Sequence, residues 1–198
     1  GRPVLVRLTA SPGEDFGPVW SPDGRELAFT SVRAGRSPAL FVKPAHAPDT
    51  ETAVPGAEGM IPSAWADDGR AVITTATERI DGRRQMQLVP VRNRAAFAAV
   101  APSRFDRYAA TVATAGKRVA FVSLETGRAE VFVASWPDTA DARQASVGGG
   151  TSPVWARDGR TLFYRSGDAL FAVDMSPVVG GQLPAPRMLF RGKFEEPG

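Results

Sequence analysis

The chain contains no cysteine. That removes disulfides, thiolate nucleophiles and cysteine-based zinc sites. It has one histidine, His46, in the proline-rich stretch KPAHAPDT. A lone histidine among turn residues has no partner for catalysis or metal binding and reads as a solvated turn residue. Lysine occurs only at Lys43, Lys117 and Lys193 among 24 basic residues, so the positive charge is carried by arginine. Arginine favours planar, multi-donor contacts with carboxylates and phosphates, although a bias to Arg and Ala also fits simple genome composition. No apolar run approaches the roughly 18 residues of a membrane-spanning helix, and no signal-peptide pattern opens the chain. A membrane anchor or export signal is therefore expected only outside this segment. The 21 acidic residues are interspersed with the basic ones, net charge +3, and no block reads as a nucleic-acid tail.

Catalytic signatures are missing as well. GRSPA at Gly35–Ala39 lacks the second glycine of a nucleophile elbow. Gly148, Gly149 and Gly150 lead into a strand rather than a helix, so they are no phosphate loop. Glu14–Asp15 and Asp67–Asp68 are adjacent pairs, and neighbours on a strand point to opposite faces. No enzyme activity, metal or cofactor is expected of this segment.

What the chain does have is turns and a repeat. Its 198 residues include 20 Gly and 17 Pro, with 43% hydrophobic residues, which favours one domain of short strands over long helices. The string PVWSPDGRELAF returns as SAWADDGRAVIT and PVWARDGRTLFY. Aligned on Gly24, Gly69, Gly116 and Gly159, the units are 45, 47 and 43 residues apart. This is close to the ~40–45-residue period of a four-stranded propeller blade. After each glycine come two β-rich runs, ELAFTS and ALFVKP in the first unit, separated by a polar turn. A weaker fourth run closes each unit. Alternation such as Leu40 and Val42 puts one face of each strand in a core.

The Asp-Gly string itself reads as scaffold. In Ser21–Pro22–Asp23–Gly24 the proline presets a type I turn, Asp suits the next position, and Gly takes the left-handed φ that follows. Asp68–Gly69 and Asp158–Gly159 repeat the turn, and Gly116 keeps the glycine without the acid. Asp23, Asp68 and Asp158 are therefore expected to be turn residues. Trp20, Trp65 and Trp155 each stand four residues before the repeat glycine, where the third unit has Val112. All three are expected to fill gaps between successive sheets.

PVWSPDGRELAFTS resembles the WD40-like repeat of TolB-type β-propellers. The resemblance runs through four units, strongest in the first and fourth and most degenerate in the third. The stretch SVGGGTSPVWARDGRTLFYRSGDALFAVDMS is similar to C-terminal propeller regions of bacterial Ser/Thr protein kinases. The resemblance implies an all-β propeller of four-stranded antiparallel blades, with units at 16–58, 59–101, 102–148 and 149–198. Residues 1–15, including PVLVRLTA at Pro3–Ala10, would be a strand of a preceding blade and a linker. TolB-like propellers resemble rings of about six or more blades, so four units imply an arc whose open ends invite self-association. A closed four-bladed ring is the alternative. An extracytoplasmic, periplasmic location is implied by the resemblance alone.

Function is expected in loops. The loops between second and third strands carry Arg33, Arg36, Arg79, Arg83, Arg84, Arg128 and Arg165, and those between blades add Glu14, Asp15, Arg104, Asp106 and Arg107. Gathered on one rim, these suit an acidic protein partner or a small anionic ligand; the alternative is a salt-bridged rim, such as Arg83 with Asp81. Nucleic acid is not expected, since no aromatic platform interleaves with the arginines. The leading expectation is a non-catalytic interaction or sensor module, the regulatory part of a larger membrane-associated signalling protein. The alternatives are a TolB-type periplasmic docking scaffold and the gating propeller of a prolyl-oligopeptidase-like hydrolase.

Overall fold

The computed structural model describes residues 7–47, 50–66, 69–77, 81–92, 95–113, 117–176 and 183–193. Asp68, Arg79, Gly116 and residues 3–6 of the expected first strand lie outside them. The first sheet is β1 (Asp15–Trp20), β2 (Glu26–Ser31), β3 (Ala39–Pro44) and β4 (Thr52–Glu58). The second is β5 (Met60–Trp65), β6 (Ala71–Thr77), β7 (Arg84–Pro90) and β8 (Ala98–Val100). The third is β9 (Arg107–Val112), β10 (Arg118–Ser123), β11 (Glu130–Ser135) and β12 (Arg143–Gln144). The fourth is β13 (Thr151–Trp155), β14 (Thr161–Ser166), β15 (Ala169–Asp174) and β16 (Arg187–Arg191). Each sheet is antiparallel, with its strands side by side in chain order. There is no helix among the described residues, so none is long and apolar enough to cross a membrane. Residues 7–14 carry no strand. Arg7 folds this stretch locally, donating to the Thr9 and Ser11 carbonyls.

The Asp-Gly turns form the first hairpin of the first, second and fourth sheets. The Gly24 amide donates to Ser21 O, Gly69 to Ala66 O and Gly159 to Ala156 O, at 2.8–2.9 Å. All three glycines have φ between +66° and +69°, where a side chain would be strained. Asp23 accepts the Ser21 hydroxyl at 2.6 Å and the Arg25 amide at 3.0 Å. Asp158 accepts the Arg160 amide at 2.9 Å. These carboxylates organise turns, because a short acceptor two residues back satisfies an amide that the turn leaves without a ladder partner.

The sheets pack face to face through their inner strands, β1 on β5, β5 on β9 and β9 on β13, and no comparable contact joins β13 to β1 among the described residues. Three cores follow. Ala28, Leu40, Val54, Trp65, Val72 and Val89 fill the first junction. Ile73, Met86, Val119, Phe121 and Phe132 fill the second, with Val112 packed against them. Ala120, Val131, Trp155, Leu162, Tyr164 and Val173 fill the third. The four sheets are therefore an arc of blades.

Trp65 and Trp155 are buried as expected, at 4% and 8% exposure, but Trp20 is 52% exposed. The cause is positional. Each buried indole reaches back to the blade before it: Trp65 Nε1 donates to Val19 O at 3.0 Å and Trp155 Nε1 to Thr111 O at 3.1 Å. Trp20 has no such blade among the described residues. Instead it borders a cavity of about 370 Å³ that also touches Trp65 and Val112. The outer part of the same blade face is covered by the N-terminal stretch, where buried Lys43 donates Nζ to Leu8 O and the Ala10 amide reaches Glu51 at 3.4 Å.

Candidate functional site

The loops joining second to third strands meet the loops between blades on one face. The Val32 amide donates to Glu14 O, Gly59 to Pro38 O, Leu124 to Asp106 O and Gly150 to Ala129 O. The described arginines of the expected rim lie here, and most of them are paired. Arg33 Nη2 lies 3.7 Å from Glu51, and its guanidinium is 4.5 Å above the Phe41 ring. Arg83 bonds Asp81 and the Ser103 carbonyl. Arg84 donates to Asp106 at 3.0 Å and stacks 3.6 Å over Tyr108. Arg107 donates to Glu125 and to the Ala101 carbonyl, both at 2.9 Å, over Phe121. Arg128 lies 3.5 Å from Glu130. Arg165 is half-buried on β14. Arg36 is exposed, and Arg104 lies over Phe105.

Five of the eight described rim arginines thus lie within 4 Å of a carboxylate. Such pairs at partly exposed sites contribute little to stability. Their effect is geometric: stacking and pairing fix each guanidinium plane. The Arg83 backbone amide, and then its guanidinium, hold the Asp81 carboxyl below its ordinary pKa. His46 is exposed in its turn, away from any acidic cluster, and no group of metal-ligating side chains occurs among the described residues.

Two features of this face were not anticipated. The first is a cavity of about 690 Å³ bounded by Arg33, Arg36, Phe41, Glu51, Val54 and Glu58. Its floor is apolar and its walls carry both signs of charge. The second is Glu130, whose carboxylate is buried at 1% exposure. It accepts the Ser146 hydroxyl at 2.5 Å and the Gly149 amide at 2.8 Å. Ser146 Oγ in turn accepts the Val131 amide at 2.7 Å. This network fastens the loop before β13. Burial, and with it the Glu130 charge, pushes the Tyr164 hydroxyl above the ordinary phenol range. In the sequence Glu130 is only the first letter of a β-run.

Four-stranded antiparallel blades packed on adjoining inner strands, with an Asp-Gly hairpin at three of the inner turns, define an arc of a β-propeller. Solved structures agree. The chain is similar to TolB from Acinetobacter baumannii, with a TM-score of 0.73 at 17% identity, covering 96% of this chain and 46% of that one. A putative TolB from Agrobacterium tumefaciens matches at 0.69 and 14% identity, covering 86% and 63%. A puromycin-hydrolyzing peptidase from Mycobacterium tuberculosis matches at 0.68 and 18% identity, covering 98% and 32%. At these identities the likeness is one of fold. The chain spans about half the length of the Acinetobacter TolB and a third of the peptidase. No known protein family matches by sequence, and no curated protein does.

Proposed function

We propose that this chain is a non-catalytic interaction module whose loop face docks a protein partner, as the regulatory part of a larger bacterial membrane-associated signalling protein. The observation that carries the docking reading is the cavity at Arg33 and Arg36. Arg33 is held flat on Phe41 beside Glu51, while Arg36 lines the same cavity, exposed and in no ion pair among the described residues. An acidic side chain of a partner segment would meet Arg36 and lay its stem on the apolar floor. The paired rim favours a protein over a free small anion, because a partner presenting both signs matches a face that presents both. The signalling role rests on the likeness of the last repeat to kinase propeller regions. A periplasmic docking scaffold is equally compatible with the fold.

Acidic, neutral and basic peptides of equal length, carrying one fluorophore, test the reading by anisotropy at low and high salt. Preferential, salt-sensitive binding of the acidic peptide, reduced at least tenfold by Arg36→Glu with Arg33→Glu, is the expected result. Equal binding of the three peptides, or no effect of the double reversal, would remove this face as an acidic-partner site.

A further inference from the structure

The three closed junctions share a volume rule. The residue four after the turn glycine faces the next blade, where it joins one core with the residue four before the next glycine. The pairs are Ala28 with Trp65, Ile73 with Val112, and Ala120 with Trp155. Small meets large twice, and two middle-sized residues meet once, as close packing of facing layers requires. The two alanine junctions also share a hydrogen bond. The carbonyl that receives each indole belongs to the strand neighbour of the alanine: Val19 stands opposite Ala28, and Thr111 opposite Ala120.

The two ends of the arc break the rule in an informative way. At one end Trp20 is half exposed, and no acceptor for its N–H occurs among the described residues. At the other, the outward pair is Val154 opposite Phe163, with Val154 57% exposed. Phe163 occupies the place of Ala28 and Ala120. Bringing the fourth blade to the first would set an indole against a phenyl ring where the closed junctions set it against a methyl. Overpacking of that size forces side chains off rotamer and blades apart.

We infer that the Trp20 face is a docking site for a propeller blade from outside these four, one with a small residue, alanine or glycine, at the place of Ala28 and a free inner-strand carbonyl beside it. The chain's own fourth blade does not fit, so the four units neither close into a ring nor pair head to tail with a second copy.

The full chain tests this directly, by light-scattering mass and acrylamide quenching of tryptophan. The wild type stays monomeric with Trp20 the most readily quenched tryptophan, partly buried Trp136 giving a constant background. Phe163→Ala converts the fourth blade to the alanine type, so Trp20 is protected from the quencher, in a ring closed on itself or in an assembly of at least twice the mass. Adding Trp20→Ala to Phe163→Ala returns any such assembly to the monomer. The inference is overturned if Trp20→Ala abolishes an association already present in the wild type, or if Phe163→Ala melts cooperatively with Trp20 quenched as in the wild type. Should Phe163→Ala not fold, a copy of residues 102–148 joined ahead of the full chain serves instead. Trp20 is then protected when the copied Ala120 is kept and exposed when it is replaced by Phe; protection in both, or in neither, overturns the inference.

Discussion

Trp20 and Trp65 occupy the same place in successive repeats, follow similar strands and precede the same turn, yet one is half exposed and the other buried. The difference lies in the neighbour. Trp65 has an alanine-bearing blade in front of it and a carbonyl within reach; Trp20 has neither among the described residues. Burial in a repeat protein is a property of the junction, so an identical residue is core in one unit and surface in the next.

The largest test of that contrast is truncation. Trp65→Ala and Trp155→Ala are each expected to cost about 3–5 kcal/mol, and Trp20→Ala less than about 1 kcal/mol, by urea denaturation. Equal losses at Trp20 and Trp65 would dissolve the distinction. The middle junction sharpens it. Val112→Trp alone should cost about 1–3 kcal/mol by overpacking against Ile73. In the double variant with Ile73→Ala much of that loss should return, as a coupling energy of roughly 0.5–3 kcal/mol. Strict additivity would mean that the two side chains do not share the junction.

The smallest effect is electrostatic and local. Asp141 accepts the Ser135 hydroxyl and backbone amide, both at 2.7 Å, closing the loop between β11 and β12. The hydroxyl first, then the amide, lower its pKa against a weaker opposing effect of burial. A lowered folded-state pKa gives stability that is present above the unfolded value of about 3.9 and is lost as pH falls through the folded one. Acid unfolding of the wild type below about pH 4 should therefore be steeper than that of Asp141→Asn. Identical acid limbs would exclude Asp141 from the transition.

Much of the fold was legible because its signals are local. ELAFTS, ALFVKP, RVAFVS, EVFVAS, TLFYRS and ALFAVD coincide with β2, β3, β10, β11, β14 and β15. Alternation and an Asp-Gly turn act within a few residues, and a pattern read along the chain captures them. Of the expected strand Pro3–Ala10, residues 7–10 are described and carry no strand. The loop face was legible only as a count of arginines. Which of them are neutralised depends on carboxylates some twenty residues away, Glu51 for Arg33, Asp106 for Arg84 and Glu125 for Arg107. The Ile73–Val112 exchange was present in the letters. It acquires meaning only when the facing of two blades is known.

The outermost strands have a consequence of their own. β12 is two residues long and β8 three; β4 is longer but is interrupted by Pro55 and Gly56, and β16 is flanked by Arg187 and Arg191. Short, proline-bearing or charged borders are poor templates for an incoming extended chain. The circumference is in this way protected against fibrillar growth, and the broad ends of the arc are left as the direction in which the protein can be extended.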